Sequence, residues 1–525
     1  MSDPLAAPIE PPSAPAPGPT PRLRTVAAGA FAFVLSAIFV WFAAFDGTYL
    51  EGGLTGSDAT ILTQIHWNML HRTAGWFTEQ QPRLLGVVPD QLVHHALAQV
   101  LGDFRLTLPS LVTLTLFADI VLAAALVARF AQTGAVPALA AVTFVVLGAF
   151  VVTLGWPLHA QIVAPINHSG GLVLSLAVAL TIGRPPRDPL LLVLVAAGCF
   201  SDMLFVVMAV VPWIAADLVL HPPAAWRPGA LRRYWPPALA TVVGFLAQTP
   251  IFRQGPPAPW PSVILESLRS FLRDVPSDGR LSIALVLGVV ASAMAVRTLW
   301  RRAEADPSER ALMAYAAVAM AGSLAAMIFF YVDYWSLRYA WPMVAWPLIL
   351  AAGASAKRIG AGAIAAAGVL AGGLAVAAVV RQGGRPPILD RQDPERLCVS
   401  TVVTEEKLNA GLAEYWHARR LVVSSDFTLK IEQVDPKDGS AHLWGNDPYW
   451  FLHDHRRADG GVRYDFVLMT GLDRAGVKAT YGEPDAVRTC PGTEVWIWRD
   501  PDRLLPILVA KSQKVLDRIR HPERR

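Results

Sequence analysis

Residues 26–45 read VAAGAFAFVLSAIFVWFAAF and contain no charged side chain. A run of about 20 apolar residues is long enough to cross the hydrocarbon core of a bilayer as a helix. A polar stretch, 46–90, follows. About ten more apolar segments come after it, joined by loops that alternate between arginine-rich and arginine-poor. The sequence therefore predicts a mainly α-helical, polytopic membrane bundle with one large early loop outside the cytoplasm.

The composition agrees with a membrane protein. Of 525 residues, 54% are hydrophobic and 16% are charged, and the mean hydropathy is +0.40. A soluble domain of this length does not carry so little charge. The formal net charge of +4 does not indicate a nucleic-acid partner, because the arginines gather in short loops at helix ends, where the positive-inside rule accounts for them. Membrane lipids are the expected surroundings.

The N-terminal region predicts the orientation of the chain. Residues 1–21 are rich in Pro and Ala and are expected to form a disordered cytoplasmic tail. The first apolar run is too long for a signal peptide, and no small-residue cleavage site ends it. It is therefore expected to remain as a spanning helix, with Arg22 and Arg24 on the cytoplasmic side.

About ten later spans are expected within a membrane region of residues 22–384. Their approximate bounds are 107–128, 136–156, 169–183, 189–201, 203–220, 236–252, 281–300, 311–331, 338–356 and 360–380. An odd total of about eleven, starting inside, leaves the C terminus outside the cytoplasm. One alternative stays open: if Leu190 to Leu220 is a single bent helix, the count falls by one and the C-terminal region moves to the cytoplasm. The polar pair Ser201-Asp202 favours a turn and the larger count.

The first outer loop, residues 46–105, contains two amphipathic segments. Apolar residues recur at helical spacing between Ile61 and Leu70, and Trp67 suits the depth of the membrane interface. A helix lying on the interface is therefore expected there. A weaker amphipathic segment, 84–101, carries His94 and is also expected on the outer face.

Residues 385–525 have the composition of a small soluble α/β domain, expected in the periplasm. Its elements are predicted as strands at Leu421–Ser425, Asp465–Thr470 and Glu494–Arg499, and as helices at Val402–Arg419 and Asp502–Arg518. Cys398 and Cys490 could form a disulfide if this region faces an oxidising compartment.

An acidic residue stands at the start of the first loop helix. The segment Gly52 to Asp58 reads GGLTGSD, a glycine-rich turn followed by a carboxylate. A carboxylate at the junction of water, headgroups and protein can act as a general base or hold a divalent metal through oxygen ligands. Asp58 is therefore the candidate catalytic residue, and the candidate metal ligand if a metal is used. The competing interpretation is structural, because Ser-Asp before a helix is a common N-cap.

A second candidate lies in the segment Tyr331 to Pro342, which reads YVDYWSLRYAWP. Arg338, at the outer end of a span and beside Tyr339, can pair bidentately with a phosphate. The competing interpretation is interfacial anchoring, with Asp333 as the partner of the arginine. Weaker candidates on the same face are His94, His168 and Arg253. A histidine at such a place more often satisfies a core contact.

Several familiar catalytic signatures are absent from the sequence. There is no glycine-rich phosphate loop after a strand, no Gly-x-Ser-x-Gly elbow, no Cys-x-x-Cys pair and no histidine–carboxylate spacing typical of zinc. Ionisable residues within the apolar segments are scarce, with Asp119, Asp202 and Asp217 as the notable cases. A proton- or ion-coupled transporter usually needs more of them along its path, which disfavours that class.

The architecture resembles the type C superfamily of integral-membrane glycosyltransferases, the GT-C fold, which use polyprenyl-phosphate sugars. The similarity extends over nearly the whole chain but rests on short motifs: Asp58 in the first outer loop, Arg338-Tyr339 followed by Pro342, and an outer C-terminal domain. The resemblance implies that Asp58 serves as catalytic base or metal ligand and that Arg338 and Tyr339 bind the donor phosphate. Many members carry an Asp-Glu pair at the loop position, whereas Ala59 follows Asp58 here. This departure leaves metal dependence and catalytic activity open.

The expected function is transfer of a hexosyl or pentosyl group from a polyprenyl-phosphate donor to a glycan or lipid acceptor on the periplasmic side of a bacterial inner membrane. High Ala, Pro and Arg usage is typical of a GC-rich bacterial genome. Two other functions stay open: non-enzymatic binding or translocation of a lipid-linked saccharide, and transport of a small solute. Aromatic residues at 411–416 and 444–450 suit sugar stacking, although such residues more often build the core of a small domain.

Overall fold

The computed structural model describes residues 21–43, 57–71, 86–152, 169–221, 232–248, 260–277, 306–330, 339–356, 394–442 and 448–520, and the single residues 286, 289, 290, 293, 297 and 373. Within these ranges the chain is mainly helical up to residue 356 and forms a mixed α/β domain from residue 394. Almost all of the predicted tail, 1–21, lies outside the described residues. The same is true of most of the expected spans 281–300 and 360–380.

The first part of the chain is a bundle of helices. They are α1 (Pro21–Ile38), α2 (Ser57–His71), α3 (Leu92–Leu101), α4 (Phe104–Phe130), α5 (Ala135–Val152), α6 (Ser169–Leu180), α7 (Pro189–Ser201), α8 (Val211–Leu220), α9 (Trp235–Gln248), α10 (Trp260–Ser277), α11 (Pro307–Phe330) and α12 (Trp341–Ala356). Short π-helical turns adjoin α1, α3 and α8 at Phe39–Ala43, Val87–Gln91 and Val206–Val210.

Three of the described helices are long and apolar enough to cross a bilayer: Arg24–Trp41, Leu106–Phe130 and Pro307–Phe329. Their mean hydropathies are between 1.7 and 2.4. Shorter apolar helices pack among them, including α6 and α7, which have 12 and 13 residues and are each only about 20 Å long. The described residues therefore contain three candidate spans, by length and composition, while the membrane bundle of about eleven spans stays a prediction.

Hydrogen bonds between helix ends separate those ends into two groups. On one side, the Arg129 guanidinium at the end of α4 donates to the carbonyls of Leu180 and Ile182, at the end of α6, at 2.6 Å each. Gln132, just after α4, donates to Asp306, just before α11, at 3.1 Å. The ends of α4 and α6 and the start of α11 therefore lie on one side of the bundle.

The other group of helix ends meets the first loop. The N–H of Gly86 donates to the carbonyl of Ser201, at the end of α7, at 3.2 Å. Gln248, at the end of α9, donates to the carbonyls of Cys199 and Phe200 at 2.6 and 2.7 Å. Helix α4 starts just after the first loop, so it crosses from this side to the first. Helix α11, with 24 residues and a length of about 36 Å, crosses back.

The alternative of one bent helix from Leu190 to Leu220 is wrong. Asp202 ends α7 with an extended backbone (φ −149°, ψ 119°), and its carboxylate accepts from the N–H of Leu204 at 2.8 Å, which turns the chain. The turn is tight, since a Cβ on Gly198 would lie 2.3 Å from the ring of Phe205. The polar pair at 201 and 202 separates two helices, as its sequence predicts.

The C-terminal domain is built on a mixed five-stranded sheet. Its strands are β1 (Ala410–Glu414), β2 (Ile431–Val434), β3 (Tyr464–Leu468), β4 (Ala486–Cys490) and β5 (Thr493–Ile497), in the order β2-β1-β3-β5-β4. Strand β1 is parallel to β2 and β3, and β5 is antiparallel to β3 and β4. The helices are α13 (Pro394–Glu405), α14 (Tyr415–Ser424), α15 (Pro448–Leu452), α16 (Arg474–Tyr481) and α17 (Leu504–Arg520).

Helices cover both faces of this sheet. Successive strand residues point to opposite faces. Phe466 and Leu468 of β3 therefore belong to the core beneath α13 and α14, whereas Val467 belongs to the core beneath α16 and α17. The expected disulfide between Cys398 and Cys490 is present and joins α13 to the end of β4.

Two expectations for the C-terminal domain are wrong. Leu421–Ser425 is not a strand but forms the end of α14 and the residue after it, and Val402–Arg419 is not one helix, because β1 lies within it. The strands expected at Asp465–Thr470 and Glu494–Arg499 and the helix expected at Asp502–Arg518 are confirmed, with shifted ends, as β3, β5 and α17. The β-branched pair after Leu421 favours a strand locally, but burial against the sheet holds it in a helix.

Helix α2 lies between the bundle and the C-terminal domain. Ile61 and Ile65 pack against Leu111 of α4, while Trp67 stacks on Phe427 of the domain with ring centroids 4.6 Å apart. The helix predicted between Ile61 and Leu70 is present. From Ile61 to Trp67 the bundle covers one side of it and the C-terminal domain covers the other, because both present aliphatic or aromatic side chains to it. The first loop and the C-terminal domain therefore share one side of the bundle.

Candidate functional site

Asp58 is the second residue of α2, which begins at Ser57. The acidic residue therefore stands at the start of a loop helix, as predicted. Its side chain, and with it the N-cap interpretation, lies outside the described part of the chain. Arg338, His168 and Arg253 also lie outside the described residues. What the structure describes is the surroundings of the helix that carries Asp58.

Tyr339, the neighbour of Arg338, is within the described residues. Its carbonyl oxygen accepts a hydrogen bond from the buried Ser323 hydroxyl of α11, and its side chain packs at the edge of the bundle core. Because Tyr339 follows the far end of α11, it lies on the same side of the bundle as the first loop. The backbone contact with Ser323 fixes the start of the segment that leads into α12.

His94 makes a buried structural contact, as expected if it is a core residue and not a site residue. Only 1% of its surface is exposed, and its Nε2 lies 3.2 Å from the Thr63 hydroxyl of α2. Burial, and then the neighbouring His66 and His95, lower the pKa of His94 to about 3, so its ring is neutral near neutral pH. A buried neutral imidazole of this kind serves to join α3 to α2.

A second histidine contact lies beside the first. The Nδ1 atoms of His66 in α2 and His95 in α3 are 2.7 Å apart. One of these atoms carries a proton and donates it, while the other accepts. Burial lowers the pKa of His66, and the nearby His95 and His71 lower it further, which favours the neutral ring.

Trp67 is the centre of the contact between α2 and the C-terminal domain. Its indole is nearly parallel to the Phe427 ring, at 10°, and His71 of the same helix stacks on it at 4.3 Å. Trp450 and His455 approach it with ring centroids at 5.1 and 4.6 Å. Aromatic groups in these arrangements contribute both buried area and ring–ring attraction. They fix α2 to the domain.

A small half-open hollow, with room for about one water molecule, lies beside this aromatic cluster. Gln64 of α2 lines it opposite Arg419, Lys430 and Glu432 of the domain. The buried Gln64 side chain donates to Asn68 at 2.8 Å, and its Oε1 has no hydrogen-bond partner among the described residues. A buried acceptor of this kind takes a hydrogen bond from a hydroxyl or a water. The hollow therefore suits one water or a single hydroxyl group.

The charged residues of the hollow already have protein partners. Lys430 Nζ lies 2.5 Å from the Glu432 carboxylate and donates to the Trp450 carbonyl at 2.6 Å. Arg419 donates to Gln433 at 2.8 Å. Burial lowers the pKa of Lys430, and the Glu432 carboxylate acts against this. These cations are engaged within the domain, so they stabilise the wall of the hollow.

The sequence did not indicate this junction. Trp67 reads as an anchor at the membrane interface, and Trp450 reads as a core or sugar-stacking residue, because no local pattern pairs residues so far apart in the chain. Asp426 and Phe427 take left-handed backbone conformations, with φ of 52° and 59°, which present the Phe427 ring to α2. Non-glycine residues rarely adopt this conformation, and nothing in their sequence marks it.

Among the residues described, no three His, Cys, Asp or Glu side chains are grouped so as to hold a metal ion. The Asp58 side chain, the candidate ligand of a divalent metal, is not among the described side chains. No protein-family model and no curated protein matches this chain. The resemblance to the GT-C superfamily therefore rests on the short motifs of the sequence.

Proposed function

We propose that this protein is a membrane glycosyltransferase that moves a sugar from a polyprenyl-phosphate donor to a glycan or lipid acceptor at the periplasmic face of a bacterial inner membrane. The observation that carries the proposal is the position of α2. This helix begins Ser57-Asp58 and is held between the bundle and the disulfide-bonded C-terminal domain. A carboxylate on such a helix stands where a lipid-linked donor and a polar acceptor would meet.

Two independent features support the periplasmic side. A disulfide such as Cys398–Cys490 persists in an oxidising compartment. The arginine-rich helix ends, with Arg129 among them, belong to the side opposite the first loop. Because α2 touches the disulfide-bonded domain, the first loop shares the compartment of that domain. An odd number of spans, about eleven, with the N terminus in the cytoplasm agrees with both features.

In the proposed reaction the acceptor hydroxyl oxygen attacks the anomeric carbon of the donor. The bond from that carbon to the phosphate oxygen breaks, and the polyprenyl phosphate leaves with the electron pair. Asp58 takes the hydroxyl proton as general base. Arg338, with Tyr339 beside it, neutralises the phosphate and makes it a better leaving group. Attack opposite to the leaving group inverts the anomeric centre, and holding the donor in the membrane plane lowers the entropic barrier.

The variant Asp58→Asn tests this reaction. It removes the base while keeping a side chain of similar size, so we expect transfer to fall at least about 100-fold with normal expression. Glu51→Gln removes a neighbouring carboxylate of the same loop and is the matched control, expected to keep its activity. The measurements are sugar transfer by isolated membranes and, in cells, surface glycans and accumulated polyprenyl-linked sugars.

Undiminished transfer by Asp58→Asn would refute the catalytic role. If surface glycans depend on the protein but not on Asp58, the protein instead binds or translocates a lipid-linked saccharide without chemistry.

A further inference from the structure

We infer that α2 and α3 are joined by a pH-sensitive histidine contact that holds the two helices together at neutral pH and releases them in acid. The histidine joint consists of His66 and His71 on α2 and His94 and His95 on α3. It is independent of the proposed sugar transfer and holds whether or not Asp58 is catalytic. Its basis is the way these rings contact each other.

The His66–His95 contact tolerates one extra proton but not two. With the Nδ1 atoms 2.7 Å apart, one N–H points at one lone pair. If a single ring becomes an imidazolium, it still donates to its neutral neighbour. If both rings are charged, two N–H groups face each other and two positive charges lie within contact distance, so the pair separates.

His94 adds a larger pH dependence because it is buried. Its ring contacts Thr63 and lies close to His66, with ring centroids 6.1 Å apart. Burial, then His66 and His95, hold its pKa near 3 in the closed joint, against 6.5 for a solvated histidine. The closed joint is therefore fully favoured above pH 6.5 and loses stability as the pH falls from there toward 3. Between neutral pH and about pH 5 the open-to-closed ratio rises about 30-fold from His94 alone.

The groups that act on these rings from α2 and α3 are other histidines. His66 is flanked by His95 and His71, and His94 by His66 and His95, and every one of these neighbours lowers the pKa of the ring it faces. Each added proton therefore makes the next one less favourable in the closed joint. The opening is steeper than for a single isolated histidine.

The neighbouring elements add little opposing charge. From the C-terminal domain His455 lies against Trp67, and the charged groups around His455 are Asp454, Lys430, Arg456 and His71. Burial lowers the pKa of His455 to about 4. Asp90, on the turn before α3, lies against the start of α6, where its carboxylate would meet a Cβ on Gly170 at 2.7 Å. It is therefore engaged away from α2.

The consequence is a movement of α2 relative to the bundle. The helix keeps its aromatic contacts with the domain through Trp67 and Phe427. Val93 and Leu97 of α3 also pack against its apolar face, so the histidines are the part of the α2–α3 contact that responds to pH. In acid the histidine part of the contact is lost, and the separation between α2 and α3 increases where the rings meet. The start of α2, with residue 58, shifts with the helix.

The test is a distance between α2 and α3 measured at two pH values. Met69→Cys and Val100→Cys place spin labels at exposed positions on the two helices, and pulsed electron spin resonance reads their separation in the full chain in lipid nanodiscs. We expect one narrow distance near pH 7.5 and a longer, broader distribution near about pH 5. Adding His66→Asn and His94→Asn should remove most of the pH dependence. His417→Asn, in the C-terminal domain, is the matched control and should leave it unchanged.

The half-exposed single variant His95→Asn provides a milder test if the double variant does not fold. It should remove the part of the change that comes from the His66–His95 contact and leave the part that comes from His94. Identical distance distributions at both pH values would overturn the inference. So would a pH response that persists undiminished in the histidine variants, because the titrating groups would then lie elsewhere.

Discussion

The helical bundle and the C-terminal domain bury polar groups in different ways. Inside the bundle a typical polar contact is short and uncharged, such as that of the Ser175 and Tyr315 hydroxyls at 3.0 Å, and the buried charged pair Asp217–Arg233, at 2.6 Å, lies near the end of α8. The domain encloses charged pairs within its fold, including Lys430 with Glu432 at 2.5 Å and Arg456 with Asp454 at 2.7 Å. Lipid offers no water to solvate an unpaired charge, whereas the domain folds in water and can bring solvated charges together one pair at a time.

Close packing of backbone is the second difference. In the bundle a Cβ on Gly244 would lie 2.6 Å from the carbonyl oxygen of Ala196, and one on Gly322 would lie 2.6 Å from that of Val207. Apolar side chains gain little by leaving lipid for protein, so helix association there relies on close approach at small residues. The domain gains stability from burying apolar area and from a covalent cross-link. The two regions should therefore respond to different mutations.

The largest expected effect is loss of the disulfide. Cys398→Ala with Cys490→Ala opens a cross-link between residues 92 positions apart, and we expect it to destabilise the domain by about 2–5 kcal/mol. Limited proteolysis of the full chain under increasing urea measures this, with the domain cleaved at lower urea and the bundle unchanged. Cys199→Ala, a buried free cysteine of the bundle, is the control. Equal loss of protection in bundle and domain would show that the two regions unfold as one.

The next effect concerns close helix approach. Gly322→Ala places a methyl group against the backbone of Val207, and we expect it to cost the bundle about 1–3 kcal/mol. Gly29→Ala is the matched control, because a Cβ there meets nothing within 4 Å, and alanine should be neutral or slightly stabilising in a helix. The measurement is the melting temperature of each variant in detergent, monitored by proteolysis of the bundle. Equal melting temperatures would mean that the contact between α11 and the π-helical turn before α8 does not limit stability.

Much of the bundle could be predicted from sequence because its signals are local. A long apolar run such as 26–45 encodes a spanning helix by composition, and the polar pair Ser201-Asp202 encodes a turn through its own carboxylate. Strands β3 and β5 were predicted for the same reason, from short β-rich segments. The disulfide was predicted from composition, because the soluble region contains two cysteines that could pair in an oxidising compartment. Arginine distribution predicted which helix ends lie together, and Arg129 with Leu180 agrees with it.

The contacts that position α2 could not be predicted because they are not local. The sequence Ala410 to Glu414, AGLAE, has weak strand propensity. It nevertheless forms the interior strand β1, because its glycine lies beneath the Phe466 ring, where a Cβ would meet ring atoms at 2.1 Å. Trp67 likewise has the sequence features of an interfacial anchor, and only the structure shows that it stacks on Phe427. The role of Asp58 depends on its partners in space, and its sequence neighbours do not specify them.

The smallest expected effect compares one local motif in both regions. Asp188 caps α7 by accepting from the N–H groups of Leu190 and Leu191 at 2.9 and 3.3 Å. Asp473 caps α16 by accepting from those of Ala475 and Gly476 at 3.2 and 3.0 Å. Substituting either aspartate with Ala should cost about 1 kcal/mol, and Ser should restore most of it.

Two equal penalties, measured by proteolysis of bundle and domain under urea, would mean that a cap contributes the same stability beside a membrane as in water. The differences between the regions would then arise from tertiary packing alone. A penalty for Asp188→Ala several times that for Asp473→Ala would point to a further contribution. The nearest source is the Arg184 guanidinium, 3.3 Å from the Asp188 carboxylate, and Arg184→Gln in the Asp188→Ala background would separate the ion pair from the cap.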